Sequence, residues 1–153
     1  MDFGSTMFLR VVIYLIGLLA LGVCLIIAGT VLSGNAGMFL PVLLLMFVSA
    51  LPFFYALHNG VLLLRYIEKN VAFSELSNKA IRIIKYCAFS ISVLYAAGMP
   101  LIVSVAHKDD APGVALLGLV FIFVTLIVGV FAAVLEKLLR SAIDLKEEND
   151  LTV

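Results

Sequence analysis

The order of polar and apolar positions sets the first constraint. No Asp, Glu, Lys or Arg occurs from Val11 to Leu64, from Tyr86 to Ala106, or from Ala111 to Leu135, runs of 54, 21 and 25 residues. A spanning helix needs roughly 20 apolar residues, so each shorter run predicts one span. As one helix the long run would extend roughly 80 Å, against a hydrocarbon core about 30 Å thick. It must fold back once. Ser33-Gly34-Asn35-Ala36-Gly37, followed by Pro41, supplies the turn residues and a proline suited to the start of the next helix.

The pattern therefore predicts an all-α integral membrane four-helix bundle. One domain covers residues 1–153, with spans at about 9–32, 40–64, 83–105 and 114–135. Span 1 is expected to be a retained helix. Its apolar stretch exceeds the ~7–15 residues of a signal peptide, and it lacks a small-residue cleavage site.

Composition agrees with this pattern: 64% of residues are hydrophobic, 13% are charged, and mean hydropathy is +1.22. Ordinary soluble domains are about 45–50% apolar and about 25% charged. A sizeable water-soluble domain and a nucleotide-binding α/β fold are excluded.

Charge placement sets orientation. Nine of ten basic residues fall on one side: Arg10, then Arg65, Lys69, Lys79, Arg82 and Lys85 between spans 2 and 3, then Lys137, Arg140 and Lys146 in the tail. The opposite loops carry Lys108 alone, beside Asp109 and Asp110. The positive-inside rule then puts both termini, the 65–82 segment and the 136–153 tail in the cytoplasm. The zero net charge hides this asymmetry and says nothing of a nucleic-acid partner. The cysteines, Cys24 and Cys87, lie roughly 18 Å apart in depth. A disulfide needs Cα atoms within ~7 Å, so none joins them.

Between spans 2 and 3, Asn70 ends a helix, and Ser74 or Ser77 can cap the next one. A short amphipathic helix is expected there. With Ser77 as cap, Leu76 and Ile81 have hydrophobic-staple spacing. Glu75, Lys79, Arg82 and Tyr86 share one face, and Glu75–Lys79 is a favourable i,i+4 pair. The bland reading is a helix snorkelling its basic ends toward headgroups; the functional one is a docking surface for a cytoplasmic protein. In the tail, Glu136, Arg140 and Asp144 have i,i+4 pair spacing, and the helix is expected to end near Glu147–Asp150. Leu151-Thr152-Val153 is β-prone, with strand addition to a partner a lesser reading.

Polar residues at membrane depth are functional candidates by default. His58 and Asn59 lie roughly 10 Å before Arg65. Tyr14, Cys87 and Ser90 fall at comparable or shallower depth. These suggest a polar layer in the cytoplasmic third, read either as interhelical hydrogen bonds or as a site of Tyr14, His58, Asn59 and Ser90. No carboxylate lies mid-span, which argues against a proton-coupled exporter. Gly17, Gly22, Gly29, Gly98, Gly118 and Gly129-x-x-x-Ala133 allow close helix approach. We assign them to packing within the chain ahead of dimerisation, and a homo-oligomer stays open.

Zinc-type Cys/His spacing, HExxH, GxSxG and a P-loop are all absent from the sequence. His58 and His107 lie near opposite faces and cannot share a metal. No enzymatic activity, cofactor, metal or direct nucleic-acid binding is expected.

The stretch Arg65–Lys85, with its Ala72-Phe73-Ser74-Glu75-Leu76-Ser77 core, and the terminal Glu148-Asn149-Asp150-Leu151-Thr152-Val153 carry a resemblance. Over nearly its whole length the chain resembles the bacterial membrane family called domain of unknown function 2975 (YoaS-like). That resemblance implies a four-span protein of Firmicutes and other bacteria. It also implies a partner, because such proteins are frequently encoded beside a small helix-turn-helix regulator. The leading expectation is a non-enzymatic inner-membrane protein holding or modulating that regulator. Its docking surface would be Glu75, Lys79 and Arg82, with the tail from Arg140 through Asp144 to Asp150. The alternative is a small transporter, channel or accessory subunit using the polar layer.

Overall fold

The computed structural model describes residues 3–152. Four helices of membrane-spanning length and hydropathy follow one another: α1 (Phe3–Leu32), α2 (Leu40–Glu68), α3 (Glu75–Lys108) and α4 (Pro112–Leu151). The expected all-α membrane fold is borne out, with no strand among the described residues.

Local chemistry explains the breaks. Gly34 (φ 74°) and Gly37 (φ 53°) turn the chain through left-handed geometry after α1. A 3₁₀ turn over Gly37–Phe39 follows, and Pro41 lies in the first turn of α2. Asn70 (φ 59°) and Asp110 (φ 51°) make the other two reversals, both residue types that tolerate this region. Ser74, extended at φ −138°, caps α3 by accepting the Ser77 N–H at 3.4 Å. The Ser74 and Ser77 hydroxyls both donate to the Val71 carbonyl, at 2.5 and 3.2 Å. The linker is thereby folded onto the start of α3.

Two local expectations change. The amphipathic helix foreseen between spans 2 and 3 is the opening of α3, because no Gly or Pro interrupts the chain from Ser74 to Lys85. With Ser74 as cap, the Leu76–Ile81 staple spacing no longer applies, and Leu76 is 56% exposed. At the tail, α4 continues through the acidic run to Leu151, and the Thr152 hydroxyl donates to the Glu148 and Asn149 carbonyls. The described tail residues thus form no β-strand, and Val153 lies outside the described residues.

Packing runs in sequence order, α1 on α2, α2 on α3, and α3 on α4, with the last interface the most extensive. Helix α3 is central. Ile91, Tyr95 and Ile102 form the buried core against Val42, Leu45 and Phe53 of α2 and Val114 and Ile122 of α4. Glycines bring the backbones close. A Cβ at Gly129 would meet the Phe89 ring at 2.9 Å, and one at Gly118 would meet Ile102 at 3.2 Å. Gly22 and Gly29 have nothing within 4 Å. Helices α1 and α4 leave most of their apolar residues exposed, including Leu18, Leu25, Ile127 and Phe131. Such surface fits hydrocarbon rather than water.

Candidate functional site

The antiparallel packing gathers both described ends and the 69–74 linker at one charged end. Ion pairs stitch the helices there. Arg10 of α1 donates to Glu68 of α2 at 2.6 Å. Glu136 of α4 accepts from Lys85 at 2.6 Å and from Arg82 at 2.9 Å, both on α3. The Glu136 and Lys85 side chains are only 14% and 18% exposed. Farther out, Arg140 approaches Glu75 at 3.9 Å, with both side chains well exposed.

The Glu136 cluster lies just outside the charge-free runs. The Lys85 hydrogen bond, then that of Arg82, holds the Glu136 carboxyl below the ordinary range, against the opposing effect of burial. Glu136 in turn raises the Arg82 guanidinium, chiefly through their hydrogen bond.

These contacts redirect several sequence-level pairings. Glu136 and Arg140 do not bond along their own helix; each faces α3. Glu75 meets Arg140 rather than Lys79. Close antiparallel packing brings two α3 cations to one α4 carboxylate, a stronger arrangement than an exposed i,i+4 pair. Arg82 is therefore occupied internally, whereas Asp144 and Asp150 are exposed on the α4 extension. Lys79 lines a cavity of about 260 Å³ between α2 and α3, with Tyr66, His58 and Asn59.

The polar-layer candidates divide. Tyr14 and His58 line one groove of about 660 Å³ between α1 and α2, with Arg65 at its charged end. Asn59 is buried and donates to the Tyr55 carbonyl of its own helix at 2.9 Å. Ser90 sits apart, beside Tyr86 and Cys87. Sequence reasoning missed Arg65 as a groove residue. The signal was available, because Arg65 follows His58 by seven residues and so falls on the same helix face.

A second cavity, about 290 Å³, is lined by residues of all four helices, among them Cys24, Ser49, Tyr95 and Thr125. Its walls are otherwise apolar. The Ser49 hydroxyl donates to Met46 O at 2.7 Å, so Tyr95 supplies the hydrogen in the 3.2 Å Ser49–Tyr95 contact. The Tyr95 ring stacks on Phe121 with centroids 5.4 Å apart. Both cysteines are free, and no group of three or more metal-ligating side chains occurs among the described residues.

Fold and surface define an all-α membrane protein with four apolar, membrane-length helices. Residues 28–153 match the family described as "Protein of unknown function (DUF2975)", and the chain belongs to that family. It is 47% identical over 156 residues to the "Uncharacterized membrane protein YoaS" of Bacillus subtilis (strain 168), covering 97% of this chain and 98% of that protein. No solved structure matches it.

Proposed function

We propose that the protein is a non-enzymatic, multi-pass component of the bacterial inner membrane, with both termini and the 65–82 segment in the cytoplasm. In this reading it holds a small cytoplasmic helix-turn-helix regulator and modulates its access to DNA. The observation that carries it is the helical extension of α4 past the last charge-free run, over residues 136–151. That length projects roughly 24 Å. Leu138 and Leu145 are 62% and 66% exposed and lie two turns apart on one stripe. Asp144, Glu147, Glu148 and Asp150 surround the stripe's far end.

An amphipathic helix of this kind suits a helix-in-groove contact. Its acidic end complements the basic face that a DNA-binding protein presents to phosphates. Binding to α4 and binding to DNA would then compete. Glu75, Lys79 and Arg140 would extend the surface, and Arg82 would act by holding α4 against α3. A change in helix packing would alter affinity for the regulator only if the two packings bind it differently.

Transcript profiling tests this reading. Deleting the gene for the chain should change a small set of transcripts, restored by the wild-type chain but not by Leu138→Ser/Leu145→Ser. An unchanged profile on deletion would contradict it.

A second reading, a small transporter, channel or accessory subunit, is favoured by the groove that Tyr14 and His58 both line. It requires solute flux in proteoliposomes that His58→Ala abolishes.

A further inference from the structure

The α1–α2 seam joins an apolar groove to polar side chains that have no partner among the described residues. The helices meet through Gly17 against Leu57 and Gly60 against Ile13, each at 3.6 Å for an added Cβ. Small residues at the seam leave the groove of about 660 Å³ open beside it. Tyr14, His58 and Arg65 all line this groove, and all three are exposed. None of the three side chains has a hydrogen bond or ion pair among the described residues. By contrast, Arg10 is paired with Glu68, and Arg82 and Lys85 with Glu136. Arg65 is thus a cation without a counter-charge among the described residues, at the mouth of an apolar groove.

Each of the three offers hydrogens: five from the guanidinium, one from the phenol and at least one from the imidazole. Unmet donors beside hydrocarbon are costly. The matching ligand is rich in acceptors, anionic at one end and apolar at the other. Depth agrees as well. His58 lies roughly 10 Å along α2 from Arg65, and the interfacial layer of a bilayer is about 5–8 Å on each side. With the Arg65 backbone level with the phosphates, His58 falls about 2–5 Å below that layer, within side-chain reach of the ester carbonyls, and Tyr14, one turn past Arg10, lies shallower.

We propose that this groove binds one anionic glycerophospholipid: Arg65 holds its phosphate, His58 and Tyr14 donate to its ester carbonyls, and one acyl chain lies against Gly17, Leu21 and Phe54. The groove volume falls within the ~300–1,000 Å³ usual for ligand sites. This site does not rest on the regulator reading, and either stands if the other fails. It assigns the groove a bound lipid in place of a transported solute.

The test uses the purified full chain in detergent, titrated with phosphatidylglycerol or with phosphatidylcholine of the same chains. Native mass spectrometry counts the lipid retained. One phosphatidylglycerol should stay bound in preference to phosphatidylcholine. Arg65→Gln should weaken it about tenfold, the scale of one charge-assisted hydrogen bond. Tyr14→Phe should weaken it severalfold, and Lys137→Gln, an exposed cation outside the groove, should leave it unchanged. Thermal unfolding checks that each variant is folded. Free glycerol 3-phosphate should not displace the lipid. Equal retention of both lipids, equal loss in Lys137→Gln and Arg65→Gln, displacement by glycerol phosphate, or a lipid-free dimer that covers the groove would each overturn the proposal.

Discussion

Lys85 Nζ lies 2.6 Å from the Glu136 carboxylate, joining α3 to α4 at the edge of the apolar region. With both side chains more than four-fifths buried, this contact is poorly screened by water. Replacing Glu136 by Gln leaves Lys85 without its counter-charge. We expect a loss of about 1–3 kcal/mol from the Lys85 contact alone, read as a lower thermal midpoint in detergent. Lys137→Gln, at the next and exposed position, should leave the midpoint nearly unchanged.

The same cluster sets an acid limit. Its cations lower the Glu136 pKa in the folded state. The resulting stability is fully present above the unfolded carboxylate pKa and is lost as pH falls through the lower, folded one. Thermal midpoints measured from neutral to acidic pH should therefore fall on the acid side. Glu136→Gln should flatten that fall, and parallel curves for the two proteins would refute the assignment.

Gly129 and Gly22 should respond differently to alanine. A Cβ at position 129 meets the Phe89 ring at 2.9 Å, whereas one at position 22 meets nothing within 4 Å. Gly129→Ala must displace the ring, an overpacking cost of about 1–3 kcal/mol. Gly22→Ala should be neutral, or stabilising by at most about 1 kcal/mol through helix propensity. Thermal unfolding of the pair distinguishes packing from propensity.

Tyr95 separates hydroxyl from ring. Phe at this position keeps the stack on Phe121 and loses only the bond to Ser49. Interhelical hydrogen bonds in membranes average about 0.6 kcal/mol, so Tyr95→Phe should be mild. Tyr95→Ala removes a ring only 6% exposed and should cost about 3–5 kcal/mol. Equal effects of the two variants would mean that the hydroxyl, not the ring, holds this position.

Much of this architecture was legible in the sequence. Charge-free runs gave four helices, and Gly34, Gly37 and Asn70 marked reversals that need left-handed backbone. Partner choice was not legible. Periodicity along one helix paired Glu136 with Arg140, yet the register of α3 against α4 gave Glu136 to Lys85 and Arg82. Arg10 and Glu68 could have been matched, since each lies just past the end of a neighbouring antiparallel apolar run. The polar candidates shared similar depths, but depth does not specify the face. Tyr14 and His58 therefore line one groove while Ser90 lines another.

The most direct test of the proposed tethering role is affinity purification of the full chain from its native membrane in mild detergent, with mass spectrometry of what accompanies it. We expect a small, basic helix-turn-helix protein in stoichiometric amount. It should be lost from Leu138→Ser/Leu145→Ser and kept by Tyr14→Phe. A preparation with no such protein, or one that keeps it after the Leu138 and Leu145 substitutions, would contradict the role assigned to the α4 extension.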